Sequence, residues 1–276
     1  MNLSNENIIH QKRNGIEYLQ FKKLLEYKKD ITHAYVIGLD KNFRTSRGEN
    51  NPIDEEEYNI AVNSYKTLCR ELGLDYGNIV KTNQTHTKNV KQVNEKSNGI
   101  EPDFSKYKDT DGLITNQESL ILATTNADCI LLLFYDPVKK VIANVHSGWK
   151  GTLQRISVET IQKMKEQYKC NPQDIICCIC PSIRKCHFEV DEDVYKMFKE
   201  QFQDLNDLDN KIIERKGNKW HIDTVLINQE ILKKEGLKSE NIIDSGICSV
   251  CNKQIIHSYR AEGANYGLST AIITIH

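Results

Sequence analysis

Cys129 and His146 are the two residues whose types and spacing most directly suggest chemistry. Between them the chain reads CILLLFY, DPVK, KVIANVH. The outer runs are apolar and strand-like, and Asp136-Pro137 suits the first two positions of a type I turn. A four-residue loop over 136–139 pairs Tyr135 with Lys140. Carried along the hairpin, that register sets Cys129 directly across from His146, with Cβ atoms roughly 4.5–5.5 Å apart. A thiolate and an imidazole at that separation can share one metal ion, whose bonds to sulfur and nitrogen are about 2.3 and about 2.0–2.1 Å. A slip of one residue would put them on opposite faces, leaving a core cysteine and a strand-end histidine.

The flanking residues bear on that choice. Cys129 follows Asn126-Ala127-Asp128, a polar break in an apolar run, and His146 precedes Ser147-Gly148-Trp149-Lys150-Gly151. Two glycines at a strand-to-helix junction expose backbone amides that can receive an anion or a ring. The alternative is a tight turn with Trp149 as a core plug. Gln84-Thr85-His86-Thr87 forms a polar apex between two further candidate strands. Alone it reads as a solvated turn. As a third ligand, His86 completes a His₂Cys set, and three protein donors leave a fourth position for water or substrate, the catalytic rather than the structural pattern.

A rival site consists of Cys177-x-x-Cys180 and Cys248-x-x-Cys251, two pairs of the kind that build Zn(Cys)₄ sites. Residues 177–180 lie in an apolar strand, however, where positions i and i+3 are drawn apart onto opposite faces. Buried free thiols are therefore the favoured reading of these cysteines. His10, His33, His221 and His276 are scattered through polar or terminal segments.

These residues need a scaffold. Residues 1–30 have room for an edge strand or two, and ITHAYVIG (31–38) reads as a strand. A helix begins near Asp54, after Pro52, with Glu55–Glu57 in its first turn; Ala61, Tyr65, Leu68 and Leu72 repeat at helical spacing and Gly73 stops it. Residues 78–93 read as strand, apex, strand. The strongest β signal runs through DGLITN, LILATT, CILLLFYD and KVIANVH, from Asp111 to His146. Helices are expected over Leu153–Tyr168, Glu192–Phe202 and Thr224–Leu237, the last capped by Asp223. A buried strand is expected over 174–183, short strands near Ile242 and Ile255, and a closing strand over Thr270–Ile275. With no repeat, linker or low-complexity tract, this predicts one mixed α/β domain over 1–276.

With 37 Lys+Arg against 38 Asp+Glu, the net charge of −1 offers no basic excess for nucleic acid or a membrane surface. Hydrophobic residues at 39% and charged residues at 27% are those of a globular chain. The N-terminal residues contain no apolar run of signal-peptide length, so a cytoplasmic location and reduced thiols are expected.

The motifs QTHTKNV (84–90), DGLITN (111–116), NADCILLLFYDP (126–137), VIANVHSGWKGT (141–152), CPSIRKCHFEV (180–190), DSGICSVC (244–251) and HSYRAEG (257–263) together resemble the bacterial laccase-domain family. Its members were once called multicopper polyphenol oxidases and are now regarded as purine nucleoside phosphorylases that also deaminate adenosine. The resemblance covers residues 30–276. It implies that His86, Cys129 and His146 are the metal-binding catalytic triad, in mixed β-sheets sandwiched by helices, and that the protein acts as a monomer. The family's older name implies copper; one thiolate and two imidazoles with an open position suit zinc at least as well. Departures from the family pattern are Cys180 for Gly, Ser182 for Cys, Gly267-Leu268 for a Gly-Arg pair, and Gly38 in place of an arginine.

The implied reaction is phosphorolysis of adenosine, inosine or methylthioadenosine. Arg44, Arg47 or Arg260 would grip phosphate, Trp149 or Tyr259 would stack on the base, and Gln84 and Lys150 would contribute to substrate binding. For deamination, Asp128 is a candidate proton carrier. Metal-assisted amide hydrolysis on cell-wall precursors, copper-dependent polyphenol oxidation and simple metal buffering are the alternatives.

Overall fold

The computed structural model describes residues 1–46, 53–95, 100, 107–205 and 211–276. In chain order the elements are β1 (Ile8–Arg13), β2 (Ile16–Phe21), α1 (Lys22–Leu25), β3 (Ile31–Ile37), α2 (Glu55–Leu72), β4 (Ile79–Lys81), β5 (Val90–Gln92), β6 (Gly112–Thr115), β7 (Ile121–Asn126), β8 (Ile130–Asp136) and β9 (Val141–Ser147). They continue with α3 (Trp149–Leu153), α4 (Ile156–Tyr168), β10 (Ile176–Ile179), β11 (Glu189–Val190), α5 (Glu192–Gln201), β12 (Ile213–Lys216), β13 (Lys219–Ile222), α6 (Thr224–Lys234), β14 (Ile242–Asp244), α7 (Tyr259–Glu262) and β15 (Ser269–Ile275).

Two six-stranded mixed sheets carry the fold. One has the order β1-β2-β3-β15-β7-β4, the other β14-β10-β8-β9-β6-β5. They pack face to face. Leu131, Leu133, Tyr135 and Ile142 of the second sheet meet Leu122, Ala271 and Ile273 of the first. The opposite faces are covered by helices. Ile130, Leu132 and Phe134 pack with Ile156, Ile161 and Met164 of α4 and Val225 and Leu232 of α6, while Ala34, Val36 and Ile272 pack with Tyr65 and Leu68 of α2. β8 is thus buried on both faces, which is why its sequence is continuously apolar rather than alternating. Asn144 pins the sheets together by donating to the carbonyls of Leu122 and Ala271 across the interface, both at 2.8 Å.

The helix signals work as read. Asp54 accepts from Glu57 N at 2.7 Å and Gly73 ends α2 in the left-handed region at φ 67°. Asp223 accepts from Leu226 N at 2.9 Å. Pro52 lies outside the described residues.

Four expectations need correcting. The β8–β9 register pairs Asp136 with Val141, so His146 faces Leu131 and Ser147 faces Ile130. Asp136 stays in the ladder while its side chain caps the turn, accepting from Val138 N and Lys139 N, and Lys140 closes the turn at φ 52°. The expected helix over 153–168 begins at Ile156, as α4; Leu153 instead ends α3, and Arg155 at φ 57° separates the two. No strand forms at Ile255, because Asn252 to Ile256 turn back on themselves through Ile255 N→Asn252 O and Ile256 N→Asn252 O. The small sheet β11-β13-β12 has no counterpart in the expected elements.

Candidate metal centre

The two-residue correction to the hairpin register preserves the sheet face. Cys129 shares parity with Leu131, the partner of His146, so thiol and imidazole still point to the same side, now as diagonal neighbours. The positive φ of Asp128, 88°, turns the chain into β8 at this point. His86 arrives from the segment between β4 and β5 in the left-handed conformation, φ 64°. The ligand atoms of His86, Cys129 and His146 all lie within 4.8 Å of one another, and Cys129 Sγ is 3.8 Å from His86 Nε2.

Asp111, the residue just before β6, assembles the site. It is fully buried. One carboxylate oxygen accepts from His86 N at 3.0 Å and faces His146 Nδ1 at 2.8 Å. The other accepts from Thr87 N and Thr87 Oγ1, both at 2.7 Å, and from Thr85 N at 3.3 Å. One carboxylate therefore holds the His86 loop and directs the His146 ring so that Nε2 faces the site. This is the carboxylate–histidine arrangement that metal-binding imidazoles require. Burial works against its ionisation, but His146 and the Thr87 donors outweigh that and hold the Asp111 carboxyl below its usual range. Gln154 fixes the loop from the other side by donating to His86 O at 3.1 Å.

The donor chemistry fits a metal. Burial alone would raise the Cys129 thiol, but the His146 and His86 rings overcome this and draw it below its ordinary value. Burial alone would likewise lower His146, but Cys129 and Asp111 raise it above the ordinary imidazole range. The thiolate is the form that coordinates. Gly148 closes the back of the site, where a Cβ would stand 2.6 Å from His86 Cδ2 and 3.1 Å from Cys129 Sγ.

The three donors open into a cavity of about 770 Å³, within the range that holds a drug-sized ligand. Gln84, Asp128, Trp149 and Arg260 line it, and so do Arg44, Lys81, Tyr259 and Leu268. Several of these already have partners. The Gln84 amide is bonded to Thr125 N and O at 2.8 and 2.7 Å, so it joins the loop to β7. The two Asp128 oxygens accept from Ser249 Oγ at 2.6 Å and Arg260 N at 2.7 Å. The Arg260 guanidinium donates to His187 O at 2.9 Å and Glu189 O at 3.3 Å. Lys150 does not line the cavity; its ammonium lies 5.5 Å over the Trp149 ring. Arg47 lies outside the described residues.

Arg44 and Lys81 bring two further cationic groups to the cavity wall, and Arg44 is already paired through Nε with Glu57 Oε1 at 3.1 Å. Arg44 stacks 4.1 Å over the Tyr266 ring and donates to Tyr266 O at 2.6 Å. Burial, with the Arg44 charge nearby, lowers Lys81 to about 8. At this cavity, Lys81 and Asp111 are the residues that sequence reasoning missed. Asp111 had a signal, since a carboxylate opening the DGLITN strand beside two histidine segments is a candidate imidazole partner. Lys81 had none, because a lysine ending a short strand reads as solvated. The cysteine pairs do not meet as a Zn(Cys)₄ set: Cys177 packs toward the helices, while Cys178 and Cys180 pack between the sheets.

A two-sheet α/β fold with an open thiolate–imidazole donor set defines a class of domain that carries a candidate metal centre. Within that class the chain matches the family described as "Multi-copper polyphenol oxidoreductase laccase" over residues 50–276. It is 31% identical over 214 residues to "Purine nucleoside phosphorylase YlmD" of Bacillus subtilis, covering 77% of this chain and 76% of the relative. It is 30% identical over 203 residues to "Adenosine deaminase RL5" from an unknown prokaryotic organism, covering 73% and 76%. The crystal structure of Bacillus licheniformis hypothetical protein YfiH superimposes with a TM-score of 0.81 at 23% identity, over 94% of this chain and 96% of that one. The chain belongs to this laccase-domain family, whose curated relatives carry the names purine nucleoside phosphorylase and adenosine deaminase.

Proposed function

We propose that this chain, as one domain over 1–276, is a metal-dependent purine nucleoside phosphorylase with zinc as its ion and adenosine, inosine and methylthioadenosine as substrates. The observation that carries the reading is the open His86–Cys129–His146 donor set facing a cavity whose walls also hold Arg44 and Lys81. The metal, when bound, supplies a Lewis acid that polarises a substrate or attacking oxygen. Copper is the alternative ion.

In the reaction a phosphate oxygen bonds to ribose C1′ as the C1′–N9 bond breaks. The bond pair leaves with the purine, which takes up a proton. Lys81 binds phosphate and offsets its charge, and Arg44, held by Glu57 and Tyr266, adds its remaining N–H donors on the same side of the ribose. The half-buried Trp149 and the exposed Tyr259 offer ring faces for the base. Asp128 and Gln84, with their polar atoms already engaged, position the Cys129 and His86 loops. Arg260 braces the same rim through its carbonyl contacts.

Adenosine deamination is a second reading, favoured by the relative named for that activity. Here water attacks purine C6 and ammonia leaves, with no phosphate needed. We further propose that the chain works in the cytoplasm as a monomer, since a reducing compartment suits a thiolate site. No helix among the described residues is long and apolar enough to cross a membrane.

Metal-assayed protein given inosine and phosphate should release hypoxanthine, followed by oxidation to urate, and Cys129→Ala should release none. No release by wild-type protein from inosine, adenosine or methylthioadenosine overturns the phosphorylase reading. Phosphate-independent conversion of adenosine to inosine supports the second.

A further inference from the structure

We propose that Cys186, His187, Cys248 and Cys251 form a second metal site, a closed structural zinc site separate from the open catalytic set. Cys248-x-x-Cys251 lies on a turn, with Asn252 N bonded to Cys248 O at 3.2 Å. A turn brings positions i and i+3 to one side, as a strand does not. Its partners are not Cys177 and Cys180 but the adjacent pair Cys186-His187, on a second turn closed by His187 N→Arg184 O at 2.8 Å.

The distances are those of a tetrahedron. Bonds of about 2.3 Å to sulfur and about 2.05 Å to nitrogen imply edges of about 3.8 Å between sulfurs and about 3.6 Å between sulfur and nitrogen. Cys186 Sγ is 3.6 Å from Cys248 Sγ and 3.9 Å from Cys251 Sγ. His187 Nδ1 is 3.6 Å from both Cys248 Sγ and Cys251 Sγ, and 3.1 Å from Cys186 Sγ. All four donor atoms lie within 4.8 Å of one another. Cys186 and Cys251 are exposed, so nothing forces their thiols inward, yet they converge on one point. Four donors leave no open position, which marks a structural site. On binding, three thiol protons leave to solvent and the neutral imidazole completes a Zn–S₃N group of net charge −1.

The site joins two segments that brace the cavity rim. Ser249, between the two cysteines of the turn, donates to Asp128, and His187 O receives Arg260. A zinc ion here would lock the 184–190 and 247–252 segments together beside the Cys129 loop. This inference does not depend on the nucleoside reading.

The test is metal stoichiometry on the full chain. Protein stripped with a strong chelator under reducing conditions, reloaded with Zn²⁺ and desalted should hold two equivalents. Cys251→Ser and Cys186→Ser should each hold one, and His86→Ala should also hold one. Because the changed cysteines are exposed, these variants should fold. Reloading with Co²⁺ should give Cys251→Ser weaker thiolate-to-cobalt absorption in the near ultraviolet, the three-thiolate contribution being lost, while His86→Ala keeps it. One equivalent in wild-type protein that vanishes in His86→Ala overturns the proposal. So does rapid alkylation of Cys186 and Cys251 in zinc-loaded protein, or a mass two daltons low that marks a Cys186–Cys248 disulfide.

Discussion

Replacing Gly148 with alanine tests whether the ring and thiol are held where coordination needs them. The backbone there, φ −61° and ψ 172°, is one that alanine adopts freely, so the change is side-chain only. Its Cβ would stand 2.6 Å from His86 Cδ2, 3.2 Å from His86 Nε2 and 3.1 Å from Cys129 Sγ. Relief to a normal carbon contact of about 3.6 Å displaces the ring by about 1 Å. The His86 backbone cannot follow, because Asp111 holds its N–H and Gln154 its carbonyl. The ring must swing, and metal–ligand distances tolerate only about 0.2 Å. Disturbing the support of a ligand costs about 10–100-fold in metal affinity, so displacing the ligand itself should cost about 100-fold or more, close to 3 kcal/mol. Competition against a chromogenic chelator measures it, with circular dichroism to show that the fold survives. Loss of the N-cap glycine should lower the unfolding free energy by only a few tenths to about 1 kcal/mol. A folded Gly148→Ala protein that binds zinc as tightly as wild type would refute this account of the site.

Asp111→Asn should lower metal affinity by about 10–100-fold and cost about 1–3 kcal/mol of stability, because an amide cannot accept from Thr85, Thr87, His86 and His146 together; chelator competition and thermal melts read both. Lys81→Met should raise the KM for phosphate about tenfold while moving the KM for nucleoside much less, and an unchanged phosphate KM would remove Lys81 from that role. His33 supplies a pH test. Burial lowers it from 6.5 to about 3, and its Nε2 accepts from Phe21 N at 2.8 Å, so protonation would set donor against donor. A base whose folded value is depressed stabilises fully above its unfolded value and loses that contribution as pH falls from 6.5 toward 3. Between pH 7.5 and pH 5 the loss is about 2 kcal/mol. Urea unfolding should show it in wild-type protein and show it diminished in His33→Gln; equal pH slopes in the two would refute it.

The central strands of the second sheet, β6, β8, β9 and β10, were legible because they are buried on both faces and so read as largely apolar runs, whereas its edge strands β5 and β14 are short and partly polar. The small β11-β13-β12 sheet was not legible, since Ile213–Lys216 is three-quarters exposed and reads IERK, polar apart from its first residue. Long-range pairing was equally closed to sequence reasoning: nothing local says that Cys248-x-x-Cys251 should meet Cys186-His187 rather than Cys177-x-x-Cys180. What could be excluded locally was excluded, because an extended strand cannot bring Cys177 and Cys180 to one point.

The three donor atoms come together despite the misplaced hairpin turn because of how strands alternate. Misplacing the turn by one residue at each end shifts the register by two, and a shift of two returns every side chain to its own face. The price is distance, since a diagonal pair lies about 7–8 Å apart at Cα rather than directly opposed. Cys129 closes that gap by lying one residue before β8 begins, where Asp128 at φ 88° bends the chain. Ser249 and the Arg260 amide, on either side of the Asp128 carboxylate, hold that bend. These contacts point to a geometric role for Asp128, in place of the proton transfer expected of it, and that role can be tested. Asp128→Asn, which keeps the shape but gives one of these two donors an N–H to face, should loosen the metal without altering the proton-dependent limb of the rate profile. A shift in that limb with metal affinity unchanged would instead make Asp128 the proton carrier.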